Sequence, residues 1–288
     1  MSEQNPTKTN INWFPGHMTK AIREIEARIH QVDCIIELRD ARAVESSHNP
    51  LIDELRGNRP YLIVLTKKDK ADSQITEQWL QFFTQQNQIA ISVNLMKDNI
   101  TAKVEKEVLL LMKEKHEKQL SRGIRPRAVR ALVFGIPNVG KSTFINRMQQ
   151  KGSLQTGNQP GVTRSLKNIK ISSQLELVDS PGLLWPKFEN QMTGFHLALT
   201  NSIAERVLPL DDIIHYAYRN LAEFPAFRAY YSFNFQNEKE FIQHFAQKRG
   251  YYLSKEQYDY ELAKKMFLKE VQDGKIMRYS WEKPNESI

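Results

Sequence analysis

Short apolar runs alternate with segments of helical periodicity through the first two-thirds of the 288-residue chain. Aliphatic and β-branched residues dominate the apolar runs, which occupy residues 34–39, 61–66, 89–93 and 131–134. Apolar residues recur at helical spacing in the intervening segments, at residues 49–56, 74–86 and 98–120. This alternation predicts an α/β domain with a mostly parallel sheet and helices on both faces. A ligand of such a sheet binds beyond the carboxyl ends of the strands.

Beyond residue 188 the pattern becomes helical. Large apolar side chains repeat at helical spacing, and among them are Phe195, Leu199, Ile213, Ile214, Phe241, Phe245, Tyr258, Leu262, Met266, Phe267 and Val271. Aromatic side chains can stack on RNA bases, but this spacing favours packing in a core. We therefore expect a smaller all-helical C-terminal domain over residues 189–288.

A phosphate-loop motif follows the apolar run at residues 131–134. Gly135–Ser142 fits the pattern GxxxxGK[ST] and precedes a helical segment. We expect the phosphates of a nucleotide to be bound by Asn138, Val139, Gly140, Lys141, Ser142 and Thr143. In this loop the backbone N–H groups surround the phosphates at a helix N-terminus, Lys141 neutralises the β- and γ-oxygens, and Ser142 is a ligand of Mg²⁺.

A DxxG motif, Asp179-Ser180-Pro181-Gly182, begins 38 residues after Lys141 at the end of another apolar run. Asp179 is expected to bind Mg²⁺ through water, and the Gly182 N–H is expected to meet the γ-phosphate. Between the two motifs, Thr163 is the candidate switch I ligand of Mg²⁺. The alternative for Thr163 is an ordinary loop threonine.

The guanine-specificity motif lies far upstream of the phosphate loop. Residues 66–69, Thr-Lys-Lys-Asp, fit [NT]KxD. Asp69 can accept the two donors on the guanine edge, a donor pair that adenine lacks. Lys67 is expected to lie along the base plane and brace the phosphate loop, and Thr66 to make weaker contacts than the commoner Asn. The candidate loop behind the base comprises Ser92, Val93 and Asn94.

In an ordinary GTPase the guanine-specificity motif comes after the phosphate loop and DxxG. The reversed order here predicts a circularly permuted G domain over residues 11–188, preceded by a short disordered lead at residues 1–10. Residues 21–30 match the helix that follows switch II in an ordinary GTPase. The break in chain continuity falls within switch II. The DxxG segment therefore leads directly into the C-terminal domain.

The residue after DxxG is Leu183, which cannot orient an attacking water as glutamine does. His17 stands just before the helix that follows switch II in the ordinary order, so it is the candidate catalytic replacement, together with Lys141. The alternative for His17 is a capping or surface histidine. Asn138 could bind K⁺ beside the phosphates, or it could satisfy the backbone of its own loop.

The net charge of +8 lies in the nucleotide-binding part of the chain. Residues 190–288 carry 13 basic and 13 acidic side chains, so the whole excess belongs to residues 1–189 and is densest at residues 113–130. Such an excess favours a polyanionic partner, although a solvated helix end has the same composition. Cys34 is the one cysteine, and its apolar neighbours indicate burial. With no signal peptide or membrane-spanning run, we expect a cytoplasmic protein.

These motifs, together with Trp13–Met18, Asp40-Ala41-Arg42 and Ser46–Pro50, resemble the bacterial ribosome biogenesis GTPase A family. The resemblance is close from Ile11 to about Thr200. It implies a circularly permuted GTPase acting in late assembly of the large ribosomal subunit, with a helical RNA-binding C-terminal domain. Family members carry a hydrophobic residue where Leu183 stands and a histidine where His17 stands. Thr66 departs from the family's usual Asn.

From these patterns and this resemblance we expect a monomeric GTPase with bound Mg²⁺ and a low intrinsic rate. It would bind the large-subunit precursor and its rRNA with GTP and leave on hydrolysis, and the subunit would stimulate hydrolysis. One alternative is a GTPase that acts on tRNA or in translation. Another is an RNA scaffold that binds nucleotide with negligible turnover.

Overall fold

The computed structural model describes residues 16–149, 166–185, 188, 190–204, 207–255 and 257–285, and only the backbone of residues 16–18. Two compact units form in this part of the chain. The first comprises the described residues of Asn12–Lys187 and of Ser280–Ser287. The second comprises those of Phe188–Tyr279.

A six-stranded sheet forms the centre of the first unit, in the order β3-β2-β1-β4-β6-β5. The strands are β1 (Cys34–Asp40), β2 (Tyr61–Thr66), β3 (Ile89–Ser92), β4 (Val129–Gly135), β5 (Lys167–Lys170) and β6 (Leu175–Asp179). All neighbours pair in parallel except β5, which is antiparallel to β6. The predicted mostly parallel sheet is thus confirmed, and β5 is an edge strand that the apolar pattern did not indicate.

The central strands β1 and β2 are buried along their whole length, as expected of strands covered on both faces. Cys34 is fully buried, and this burial raises the pKa of its thiol to about 12. It is therefore a core residue, as its apolar neighbours predicted. The edge strand β5 buries Ile169 and exposes the polar residues beside it, which explains its weak apolar signal.

The helices of the first unit agree with the predicted segments to within a few residues. They are α1 (Gly16–Arg28), α2 (Leu51–Arg56), α3 (Ser73–Gln85), α4 (Ile100–Leu111), α5 (Lys113–Ser121) and α6 (Lys141–Gln149). The segment predicted as one helix over residues 98–120 is divided at Met112. Burial changes there, because α4 buries Val104 and Val108 whereas α5 buries none of its residues.

Five helices and one short strand pair make up the described part of the second unit. They are α7 (Gln191–Leu199), α8 (Leu210–Leu221), α9 (Pro225–Tyr231), α10 (Glu238–Arg249), α11 (Tyr260–Asp273), β7 (Tyr252–Ser254) and β8 (Gln257–Tyr258). The expectation of an all-helical domain requires a correction at β7 and β8, which pair antiparallel. Gly250, with φ of 68°, ends α10, and the rings of Tyr252 and Tyr258 stack at 5.0 Å.

The apolar repeats of the second unit fill its core, as their spacing predicted. Phe227, Phe241, Phe245 and Phe267 are fully buried. Three members of the set are less buried, since Leu262 is 39% exposed at the start of α11 and Tyr258 and Met266 are half-buried. Across all described residues, no helix is both long and apolar enough to cross a membrane.

The described residues from Ser280 onwards fold with the first unit rather than the second. The Trp281 N–H donates to the Arg42 carbonyl at 2.6 Å. The Glu282 carboxylate accepts the N–H groups of Glu45 at 2.7 Å and Ser46 at 3.0 Å. The prediction that residues 189–288 form one domain is therefore wrong for these last residues. Their partners lie more than 200 residues away along the chain, and such distant contacts leave no local pattern in the sequence.

Candidate nucleotide-binding site

The phosphate loop connects the end of β4 to the start of α6. Two of its residues have left-handed backbone conformations, Asn138 with φ of 57° and Gly140 with φ of 106°. Gly135 has no room for a side chain, since a Cβ there would lie 2.9 Å from Val139 Cγ1 and 3.0 Å from the Leu38 carbonyl oxygen. Tight packing and these left-handed residues turn the chain from strand to helix within five residues.

Lys141, the first residue of α6, is buried beside the end of the neighbouring parallel strand β6. Burial lowers the pKa of the Lys141 ammonium, and the negative charge of Asp179 acts against this effect. Asp179 is itself buried and pairs in register with Val133 of β4. The sheet therefore brings the lysine of the phosphate loop and the aspartate of DxxG into one electrostatic environment.

The rest of DxxG lies directly against the phosphate loop. A Cβ at Gly182 would meet the Pro137 Cα at 3.2 Å, so only glycine allows this approach without a shift. Ser180 Oγ donates to the Val133 carbonyl at 2.7 Å and ties the loop to β4. The two phosphate-binding motifs, with Lys141 and Asp179 separated by 38 residues in sequence, thus meet at the carboxyl ends of β4 and β6.

Leu183 is fully buried, and so is Leu184. The Leu183 carbonyl accepts a hydrogen bond from Asn49 Nδ2 at 2.8 Å. The leucine that stands after DxxG therefore packs as a core residue.

Thr66 joins the guanine-specificity motif to the phosphate loop. Its hydroxyl lies 2.6 Å from the Val139 carbonyl and 3.1 Å from the Arg39 carbonyl, and it donates its one hydrogen mainly to the nearer of these. The bracing of the phosphate loop expected of Lys67 is thus made by Thr66. Threonine needs no side-chain amide to make this link.

Lys67 has a left-handed backbone, with φ of 57°, and its Nζ lies 2.8 Å from Asp40 Oδ2. Burial lowers the pKa of Lys67, and Asp40 opposes this effect. Arg42 also pairs with Asp40, with an Nη2–Oδ2 distance of 2.9 Å. The side chain of Asp69 is exposed beyond this buried cluster, as a group that binds a ligand should be.

The loop after β3 lies beside both motifs. Val93 donates its N–H to the Leu65 carbonyl at 2.8 Å, and Leu95 Cδ1 would meet a Cβ at Gly140 at 3.0 Å. Ser92 is half-buried at the end of β3. Asn94 Oδ1 accepts N–H groups from its own loop, at residues 96 and 97. The predicted base-backing loop is therefore close to the phosphate loop, with Asn94 shaping its turn.

Two predicted site residues are not placed. Thr163 lies outside the described residues. The backbone of His17 belongs to the first turn of α1, but its side chain is outside what the structure describes.

Two residues that contact the site, Asp40 and Asn49, were predicted only as parts of motifs. Asp40 is the last residue of β1, and Asn49 lies in the loop between β1 and α2. Ligands of such a sheet bind beyond the carboxyl ends of its strands.

The comparisons with known proteins agree with this geometry. A family model described as a 50S ribosome-binding GTPase matches residues 130–241. Ribosome biogenesis GTPase A of Bacillus cereus is 40% identical over 280 residues, covering 96% of this chain and 95% of that protein. Ribosome biogenesis GTPase A of Thermotoga maritima is 30% identical over 276 residues, covering 96% and 95%. The crystal structure of GNP-bound YlqF from T. maritima is similar with a TM-score of 0.68 and 25% identity, covering 93% of this chain and 100% of that one.

Fold and site together define a circularly permuted P-loop GTPase. The guanine-specificity motif precedes the phosphate loop in sequence, yet both lie at the carboxyl ends of the strands and contact each other. The chain belongs to the ribosome biogenesis GTPase A family. It binds GTP and GDP, hydrolyses GTP and acts in ribosome biogenesis.

Proposed function

We propose that the protein binds the precursor of the large ribosomal subunit through its rRNA when loaded with GTP, and leaves when GTP is hydrolysed. The observation that carries this proposal is the match to the 50S ribosome-binding GTPase model, which runs from β4 into the second unit. The positive charge concentrated in residues 1–189 supports contact with RNA phosphates. A ribosomal partner also supports a cytoplasmic location, with the protein monomeric off the ribosome.

The route of the chain supports a nucleotide-controlled release. Gly182, which lies against the phosphate loop, is separated from the start of the second unit at Phe188 by five residues. A change at the γ-phosphate would therefore reach the second unit along a short covalent connection. Ordering of a switch segment by the γ-phosphate is a common device in GTPases.

The donor set fits Mg²⁺ bound together with the nucleotide. Within the described ranges, no group of three or more His, Cys, Asp or Glu side chains converges on one point. An Mg²⁺ that accompanies a nucleotide needs one or two protein carboxylates or hydroxyls, with phosphates and water completing its shell. The buried carboxylate of Asp179 and the hydroxyl of Ser142 supply oxygen ligands of this kind, and Thr163 would add a third. The ion would neutralise charge on the phosphates.

The packing of Leu183 supports a low intrinsic rate of hydrolysis, because a buried aliphatic side chain cannot orient water. His17 would supply this function and Lys141 would stabilise charge on the phosphates. The His17→Ala variant should lose GTP turnover while keeping its affinity for GTP. The matched control is His30→Ala, at an exposed histidine after α1. Equal turnover in wild type and His17→Ala would remove His17 from the reaction.

Asn138 is the proposed K⁺ ligand. Its left-handed backbone places it at the bend of the phosphate loop, where a monovalent cation could stabilise charge on the phosphates. Replacing Na⁺ with K⁺ should raise GTP turnover of the wild type and leave Asn138→Ala unchanged. Equal turnover of the wild type in the two salts would exclude this role.

Binding to ribosomal particles tests the proposed function directly. Large-subunit precursors should co-sediment with the protein in a non-hydrolysable GTP analogue and release it in GDP. Adding the particles should also raise the rate of GTP hydrolysis. Co-sedimentation with tRNA instead would favour a GTPase of translation. Binding without any rise in a negligible turnover would favour a scaffold.

A further inference from the structure

A buried loop between β1 and α2 has no part in the nucleotide chemistry described so far. It contains the Ser46–Pro50 motif, and within it Ser46, Ser47 and Asn49 are almost completely removed from solvent. Polar residues are rarely buried in a loop unless their hydrogen bonds are satisfied. The partners of these residues therefore indicate what the loop holds in place.

Asn49 is fully buried and is fixed from two elements of the first unit. Its Oδ1 accepts the N–H of Leu51, the first residue of α2, at 3.1 Å. Its own N–H donates to Glu37 Oε1 of β1 at 3.2 Å. Its backbone carbonyl accepts the N–H of Ile52 at 2.9 Å. Its Nδ2 donates to the Leu183 carbonyl at 2.8 Å across 134 residues of sequence. Because the Leu51 N–H holds Oδ1 and the Glu37 carboxylate holds the backbone of the same residue, the Asn49 amide is a pre-positioned donor.

The acceptor of that donor is one residue from the glycine of DxxG. Gly182 is so close to Pro137 of the phosphate loop that a Cβ there would lie 3.2 Å from the Pro137 Cα. The hydrogen bond from Asn49 thus holds Leu183 in place, and the preceding residue, Gly182, lies against the phosphate loop. Leu183 is itself buried in the core, and this bond ties its carbonyl to Asn49.

We propose that Asn49 is a positioning residue for the γ-phosphate, acting through the Leu183 carbonyl to keep Gly182 against the phosphate loop. This inference rests on the proposed contact between Gly182 and the γ-phosphate. Asn49 does not touch the nucleotide in this arrangement. Its contribution is therefore specific to GTP, since GDP has no γ-phosphate for Gly182 to meet.

The competing explanation is a local structural role, in which Asn49 Oδ1 shapes the turn before α2 by accepting the Leu51 N–H, and two substitutions separate the two roles. Asn49→Ser keeps a side-chain oxygen of the kind that caps helices but lacks the Nδ2 donor. Asn49→Asp keeps the acceptor in nearly the same shape and also lacks the donor, although it adds a carboxylate near Glu37. Asn237→Ser is the matched control, because Asn237 caps α10 in the second unit by accepting the Glu240 N–H at 3.0 Å.

The experiment measures the affinity of the full-length variants for a non-hydrolysable GTP analogue and for GDP, with thermal melting as the measure of folding. Both Asn49 variants should lose about tenfold in affinity for the analogue, equivalent to about 1.4 kcal/mol. Affinity for GDP should stay within twofold of wild type, and Asn237→Ser should change neither. Equal losses for both nucleotides, or no loss for either, would overturn the proposal and leave Asn49 with only a structural role in the turn before α2.

Ribosomes are absent from this experiment, so its outcome is independent of subunit binding. Failure of the proposed function would appear in the wild type, as a lack of co-sedimentation with large-subunit precursors in either nucleotide. Failure of the Asn49 proposal would appear as an unchanged preference between the analogue and GDP in the variants.

Discussion

The two units of this protein bury different kinds of side chain. The nucleotide-binding unit buries ionisable groups at and near the strand ends, among them Glu37, Arg39, Asp40, Arg42, Lys141 and Asp179. The helical unit buries aromatic rings, with Tyr231 and Phe241 at 4.8 Å and Phe241 and Phe267 at 5.1 Å between centroids. Its buried carboxylate Glu270 is held by Tyr231 at 3.0 Å and Arg249 at 2.8 Å.

The difference indicates that buried side chains serve the chemistry of the nucleotide site in the first unit and stabilise the fold in the second. Burying a charge is costly and rarely stabilises a fold more than an apolar side chain of the same volume would. Sites where a fold departs from apolar burial therefore tend to be functional. In the first unit Lys141, Asp179 and Asp40 lie at the phosphate loop, DxxG and the guanine-specificity motif. The side chains of Glu37 and Arg39 pair instead with each other and with Tyr61. In the second unit the aromatic cluster accounts for shape and stability.

The largest effect is expected in the aromatic core. Phe241→Ala removes a fully buried ring and should destabilise the protein by about 3–5 kcal/mol. Chemical denaturation would measure this loss. Affinity for GTP, measured where the variant remains folded, should stay within twofold of wild type because the site lies in the other unit. A loss of GTP affinity as large as the loss of stability would show that the aromatic core of the second unit also supports the nucleotide site.

Acid should weaken the nucleotide-binding unit through Glu37. Burial opposes its ionisation, but Arg39, His48 and Tyr61 outweigh that effect and lower its pKa from 4.5 to about 2. A folded-state pKa below the unfolded value gives stability that is present above pH 4.5 and lost as the pH falls towards 2. The loss should be about 3 kcal/mol.

Glu37→Gln tests this acid dependence. Its stability should depend less on pH between 5 and 2 than that of wild type, in urea titrations followed by tryptophan fluorescence. Trp79 is a buried probe in α3 of the same unit. Parallel curves for the two proteins would assign the acid sensitivity to other groups.

Lys141→Ala should reduce affinity for GTP by about 100-fold, because a buried ammonium at the phosphates is lost. Calorimetric titration with GTP would measure it. The control is Lys248→Ala, at an exposed lysine of the helical unit, which should bind GTP as wild type does. A loss below threefold in Lys141→Ala would contradict the assigned phosphate site.

The smallest effect concerns the threonine that stands in place of asparagine. Thr66→Val leaves the Val139 carbonyl without this donor, which should lower affinity for GTP and GDP about fivefold alike. The matched control is Thr76→Val, since the hydroxyl of Thr76 also donates to a carbonyl, that of Asp72 at 2.7 Å, in α3. Unchanged nucleotide affinity in Thr66→Val would show that the hydroxyl does not support the phosphate loop.

Local patterns were sufficient to predict most of the sheet and the motifs on it. An apolar run followed by Gly135–Ser142 predicts both a strand and a phosphate loop, because the signal lies within a dozen residues. The edge strand β5 was missed, since its one buried residue, Ile169, leaves no clear alternation. The division at Met112 was missed because helical periodicity continues through it.

Long-range partners left no signal in a single sequence. Asn49 and Leu183 are 134 residues apart, and Glu282 reaches back to Ser46 across 236. Each residue alone is compatible with an ordinary loop or tail. Lys67 was expected to brace the phosphate loop, but its ammonium pairs with Asp40 at the end of the neighbouring strand. Thr66 makes the contact with the phosphate loop instead.

The central claim is that a motif upstream of the phosphate loop determines the choice of base, and Asp69→Asn tests it most directly. The carboxylate accepts the N1–H and N2–H₂ groups of guanine, whereas an amide suits xanthine, which has a carbonyl in place of the amine. The variant should lose at least 100-fold in affinity for GTP and gain affinity for xanthosine triphosphate. Unchanged affinity for GTP, with none for xanthosine triphosphate, would contradict the claim.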